Sequence, residues 1–229
     1  MEKKEEKLTF SDKLGKWILK NRVALISVLV TLFLVAVICI VAFSVVNKNT
    51  EKKYEQLATI ETNYVASLTN FDISDDEKAT KASEAIAAAL ELAEANTKNG
   101  VGVRAYMLAA EINYKNENFV EAAAAWENAA KANTKAYTAP LSLYNAAACY
   151  EEIGNIDAAI ENIKKANEYS NFSLKAKAIF DLGRLEETRG DYSAAVNYYN
   201  DLITNYSYDE WTKVAKSRVI FLQEQGFLN

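Results

Sequence analysis

The chain has 229 residues, with 31 acidic against 26 basic side chains, no histidine, two cysteines, one proline and seven glycines. Without histidine the commonest general base, the commonest zinc ligand and the Ser-His and Cys-His dyads are missing, so an enzyme is not expected. A formal net charge of −5 disfavours nucleic acid, whose phosphates need clustered Lys and Arg, and the scarcity of helix breakers favours an all-α fold.

Residues 1–22 read as a basic cytoplasmic tail. Lys3, Lys4, Lys7, Lys13, Lys16, Lys20 and Arg22 outweigh Glu2, Glu5, Glu6 and Asp12. Residues 23–46 follow as one apolar run without a charge. Its 24 positions span roughly 36 Å at ~1.5 Å per residue, enough to cross a ~30 Å hydrocarbon core with some tilt. A cleaved signal peptide has a shorter apolar region, and Ala42-Phe43-Ser44 is a weak cleavage signature. Acylation at Cys39 would need a small residue before it, where Ile38 stands. A transmembrane helix is therefore expected. The Lys and Arg excess ahead of it directs the N-terminus to the cytoplasm and the rest of the chain to the far side, with Trp17 at the interface. Cys39 lies in this run and Cys149 far along the chain, so no disulfide is expected.

Residues 47–99 read as a helical extension and a diverged first hairpin. Tyr54, Leu57, Ile60, Tyr64 and Leu68 recur at helical spacing. Residues 72–76 form a loop ending in a cap, residues 78–96 an alanine-rich helix, and Asn99-Gly100-Val101-Gly102 a turn.

Residues 100–208 contain three similar segments, 106–126, 143–163 and 179–199, each a helix, a short turn and a second helix. The turns begin at Glu117, Gly154 and Gly190, so they recur after 37 and 36 residues. A bulky residue early in the first helix (Tyr106, Leu143, Ile179) precedes small residues one turn on. An alanine follows each turn (Ala122, Ala159, Ala195), and a large residue comes one turn later (Trp126, Ile163, Tyr199). This pattern resembles the tetratricopeptide repeat (TPR) family, whose repeats run ~34 residues. The family's repeat-end proline is missing near Thr134, Asn171 and Ser207, and Glu186 stands where an aromatic is usual. Residues 209–229 are expected to cap the stack with a helix over residues 210–225.

The resemblance implies an α-solenoid of helix hairpins whose inner surface is lined by the first helix of each repeat. On that frame Arg104, Met107, Glu111 and Tyr114, then Leu141, Tyr144, Ala148 and Glu151, then Lys177, Phe180, Arg184 and Glu187 face inward. Arg104, Met107, Tyr114, Tyr144, Glu151, Phe180 and Arg184 are the expected partner-binding residues, a mixture of apolar anchors and both charge signs suited to an extended polypeptide. The lysine clamp of chaperone-tail-binding TPR domains is not matched, because Met107, Tyr144 and Phe180 occupy its place. No metal-ligand or phosphate-binding motif is present, so no cofactor, metal or small-molecule substrate is expected.

The layout of basic tail, single membrane helix and TPR domain, with Lys16-Trp17-Ile18-Leu19-Lys20-Asn21 before the anchor, is similar to bacterial inner-membrane TPR proteins that accompany the Sec translocon. That resemblance implies an extracytoplasmic adaptor whose partners are translocon subunits, chaperones or extended polypeptides. The alternative is a structural scaffold for envelope or cell-division assembly that binds one fixed partner.

Overall fold

Ten α-helices make up the regular structure among the described residues, 9–227, of this computed structural model. The charged residues expected within positions 1–8, and residues 228–229, lie outside that range. The chain divides into two units between Lys52 and Lys53.

The first unit holds α1 (Phe10–Lys20) and the start of α2 (Arg22–Thr69). A capping box begins α1: Asp12 N–H donates to Thr9 Oγ1 at 3.3 Å, and Thr9 N–H donates to Asp12 Oδ2 at 3.0 Å. The bonds from Thr9 hold the Asp12 carboxyl below its ordinary value. Asn21 ends α1 by donating its backbone N–H (3.0 Å) and its side-chain amide (2.8 Å) to the Trp17 carbonyl. Much of the segment read as a tail is thus helical. In α2 the apolar run is long and apolar enough to cross a membrane, and none of its most apolar stretch is buried.

The second unit is a series of helix pairs. The last part of α2, from Lys53, precedes α3 (Asp75–Glu94). Next come α4 (Gly100–Lys115) with α5 (Phe119–Ala132), α6 (Ala139–Glu152) with α7 (Ile156–Asn167), and α8 (Lys175–Arg189) with α9 (Tyr192–Asn205), before α10 (Glu210–Glu224). From α3 onward each helix packs on the next, and α8 also touches α10.

Small side chains set this packing. Ala122, Ala159 and Ala195, which follow the three turns, are all 0% exposed, so the second helix of each pair lies flush against its neighbours. Trp126, Ile163 and Tyr199 are buried one turn later and fill the gaps between pairs. Leu57 and Tyr64 of α2 join Ala82, Ala85, Ala89 and Ala93 of α3 in the same core cluster as Tyr106 and Trp126. Ala130 of α5 shares a second cluster with Leu143 and Ile160 of the next pair, so apolar packing runs from pair to pair. On α10, Thr212, Ala215 and Leu222 are buried, while Lys213, Lys216 and Ser217 face solvent together with Val214, Ile220 and Phe221.

The three turns share one backbone solution. At Gly154 and Gly190 φ is +73° and +84°, and at Glu117 it is +60°. Each carries the paired reversal bonds of a helix C-terminus, such as Asp191 N–H to the Glu186 carbonyl at 2.9 Å and Gly190 N–H to the Glu187 carbonyl at 3.0 Å. A fourth copy lies at Gly226 (φ +73°), 36 residues after Gly190, where Phe227 N–H donates to the Leu222 carbonyl at 3.1 Å. Glu117 is thus the one non-glycine held in the left-handed region among the described residues. Glu117→Gly is expected to stabilise the protein by about 0.5–1 kcal/mol, and Gly154→Ala or Gly190→Ala to destabilise it by about 1 kcal/mol. Urea unfolding of the three variants checks both signs.

Two boundaries differ from the sequence reading. The helix expected to start at residue 78 starts at Asp75, because Ser74 caps it by accepting from Glu77 N–H at 3.2 Å. The acidic residues taken for loop fill its first turn, where the helix dipole favours them. Gly100-Val101-Gly102 is not a turn but the start of α4, capped by Asn99.

Candidate protein-interaction face

The first helices of successive pairs lie close enough for direct side-chain contact, and α6, α8 and α10 are stitched together along one face. Arg184 and Glu151 form a bidentate pair, with Nη2 to Oε2 at 2.8 Å, and Arg184 Nε lies 3.5 Å from Asp181. The Tyr144 hydroxyl donates to Asp181, and Lys177 Nζ donates to Asp181 Oδ2 at 2.8 Å. Lys177 also stands over two rings, 5.1 Å from the centroid of Tyr144 and 5.2 Å from that of Trp211. Arg218 of α10 pairs with Glu187, Nε to Oε1 at 3.1 Å. Burial, then the bond to Asp181, push the Tyr144 hydroxyl far above its ordinary value, so it remains a donor. In this half of the face, each named charge already has a partner of opposite sign.

The other half is open. The last part of α2, α4 and the residues before α6 surround a concavity of about 260 Å³. Leu57, Met107 and Leu108 give it an apolar floor, Glu61 and Glu111 supply carboxylates, and Arg104 supplies a guanidinium. Tyr137, 80% exposed, stands at the rim. Burial raises the Glu111 carboxyl above its ordinary value; Lys115 opposes this, Glu61 adds to it, and Arg104 opposes it again.

The seven expected binding residues therefore separate. Tyr144, Glu151 and Arg184 meet in the α6–α8 network. Arg104 and Met107 line the concavity. Tyr114 sits apart, partly exposed and edge-on to Phe119 with ring centroids 5.3 Å apart. Phe180, expected on the open surface, is in the interior instead: it is 8% exposed and packs between Tyr199 (5.6 Å) and Trp211 (5.1 Å). The ring points toward α9 because Phe180 lies one helical step from the row Lys177, Asp181, Arg184 that faces α6. The sequence reading missed Asp181, Leu57, Glu61 and Tyr137. Asp181 carried a usable signal, since it stands four residues after Lys177 and three before Arg184.

Burial pushes the Cys149 thiol up to about 11 from an ordinary 9.0. The unfolded chain would release this proton first, so the contribution is intact below about pH 9 and lost as pH rises through about 11. The urea midpoint is expected to fall between pH 8 and pH 10.5, and to fall less in Cys149→Ala.

The family model for the tetratricopeptide repeat matches residues 75–138 and 144–210, together more than half of the chain, and its first match takes in α3. A TPR repeat-containing protein of Treponema pallidum (strain Nichols) is 30% identical over 117 residues, which cover 51% of this chain and 49% of that protein. The chain thus spans about half the length of that relative. Among solved structures, nearly identical TPR-like repeats from Podosopora anserina superpose with a TM-score of 0.51 at 11% identity, over 75% of this chain and 89% of that one. MamA superposes with a TM-score of 0.47 at 16% identity, over 69% of this chain and 87% of that one. The helix pairs, the small residues that let them stack and the family match agree: the chain belongs to the tetratricopeptide repeat family, whose members are protein-interaction modules.

Proposed function

We propose that this protein is a membrane-anchored adaptor that grips an extended segment of another polypeptide in the concavity between α2, α4 and the residues before α6. The observation that carries the reading is the contrast along the inner face: the α6–α8–α10 half is closed by its own ion pairs, while the half lined by Leu57, Met107 and Glu111 is unfilled. Displacing Tyr144 and Lys177 from Asp181 would strand a largely buried carboxylate, whereas the concavity offers an apolar floor and exposed carboxylates at no such cost. The segment that fits best carries an apolar side chain flanked by Lys or Arg. Arg104, Met107 and Glu111 would contact it, with Tyr137 closing over it. Tyr144, Glu151 and Arg184 would hold the neighbouring helices in register.

The anchor in this reading is the apolar start of α2. Its length, its lack of charge and the absence of buried residues from its most apolar stretch support a lipid surrounding over a protein core. The large domain is assigned to the extracytoplasmic side of a bacterial inner membrane, beside the Sec translocon and envelope chaperones. Anchoring raises the local concentration of such partners and leaves chemistry to them.

Crosslinking of the full chain in its native membrane tests this. Translocon or chaperone subunits are the expected adducts; a single envelope-assembly component in fixed ratio would replace this reading with a structural scaffold. Met107→Ala with Tyr137→Ala is expected to lower adduct yield about tenfold or more. Protease digestion of the C-terminal domain only after the cells are opened, with an intact cytoplasmic control, supports the orientation; digestion that requires breaking the inner membrane contradicts it.

A further inference from the structure

We infer that α1 is a lipid-binding helix that lies along the bilayer surface, in the headgroup layer of the leaflet where α2 enters; this rests on the anchor reading of α2. At about 100° per residue, Phe10, Leu14, Trp17 and Ile18 fall within an arc of about 100°. Among the described residues none of the four is buried: Phe10 is 82%, Leu14 45%, Trp17 55% and Ile18 44% exposed. Lys13, Lys16 and Lys20 fall within an arc of about 60° directly beside that stripe. Leu19 alone among the large apolar residues lies off it.

The occupant follows from position and charge. Asn21 alone separates α1 from α2, whose apolar run begins at Val23, so the stripe cannot be more than a few residues from hydrocarbon. Long lysine side chains beside an apolar stripe reach up to phosphate while their stems stay with the acyl chains. With Arg22 they outnumber Asp12, the one acidic residue from position 9 to the run, which matches an anionic lipid surface. The break at Asn21, with φ −104° and ψ 13°, leaves the helical dihedrals for one residue and gives the axis a place to change direction.

Nitroxide labels placed one at a time at positions 10, 13, 14, 16, 17, 18 and 20 test the inference. The full chain, with Cys39 and Cys149 replaced by alanine, is reconstituted in phosphatidylcholine vesicles containing about one-third phosphatidylglycerol. Collision with oxygen is expected to dominate at 10, 14, 17 and 18, and collision with an aqueous nickel chelate at 13, 16 and 20. K13Q/K16Q/K20Q is expected to reduce the oxygen preference at 14 and 18 at least twofold. Equal nickel access at all seven positions would overturn the inference by placing α1 in water, and spin–spin broadening would overturn it in favour of a second copy of this chain. A label at position 35 separates the two ideas. If it is shielded from nickel while α1 is not, only the inference fails; if nickel reaches it, the anchor reading fails and takes the inference with it.

Discussion

Tyr199→Ala is expected to cost about 3–5 kcal/mol, the range for removing a buried aromatic ring. Tyr199 is 0% exposed, touches the Phe180 ring at 5.6 Å and donates its hydroxyl to Glu187, which also binds Arg218 of α10. One side chain thus joins α8, α9 and α10. The ring lies over Gly183, where an added Cβ would stand 2.4 Å from Tyr199 Cε1. Gly183→Ala is therefore expected to cost about 1–3 kcal/mol, even after the gain in helix propensity. In the double variant the methyl group enters the space the ring vacates, so the two costs are expected to fall short of additivity by about 1 kcal/mol or more. Urea unfolding of the four chains measures this. Because stacked repeats depend mainly on their neighbours, hydrogen exchange in Tyr199→Ala should lose protection in α8–α10 while α4 and α5 keep theirs. Uniform loss along the stack would contradict nearest-neighbour stability.

Gly102→Ala is expected to cost about 2–3 kcal/mol, whereas Gly100→Ala, two residues away, should cost under about 0.5 kcal/mol. At position 102 a Cβ would lie 2.1 Å from the backbone carbonyl oxygen of Asn96, which cannot move without parting α3 from α4. At position 100 it would lie 2.6 Å from the hydroxyl of Tyr54, the far end of a partly exposed side chain that can turn away. Thermal unfolding of the two variants separates them. A loss from Gly102→Ala should also weaken the concavity, since α4 supplies Arg104, Met107 and Glu111. Equal effects at the two glycines would show that the α3–α4 approach tolerates more slack than the geometry allows.

These glycines also show where the sequence was readable and where it was not. The turns at Gly154 and Gly190 were legible because glycine, a following Asn or Asp and a 36-residue interval coincide. The Gly226 turn has the same interval but lies at the edge of the pattern, with no second helix after it among the described residues. Gly100 and Gly102 look like a turn in sequence and serve as a close contact in space, which only the position of Asn96 reveals. The alanines after each turn announced buried helix contacts because alanine alone satisfies both helix propensity and close approach. The inner face was less legible. A 3.6-residue period identifies which side of a helix faces inward only to about one residue, enough to exchange Phe180 for Asp181. The Arg184–Glu151 pair joins residues 33 apart, and no local spacing signals it. Leu57 and Glu61 belong to the concavity because α2 continues past the apolar run, a packing consequence that neither residue advertises.

A photoreactive side chain at position 107 in the full chain, in its native membrane, tests the central claim most directly, with the same group at exposed Glu161 on α7 as the comparison. Polypeptide adducts are predicted at 107 and not at 161, and they should disappear when Glu61 and Glu111 are both changed to lysine. Adducts at 161 in equal or greater yield, or none at 107, would contradict a protein whose inner helix face holds other chains.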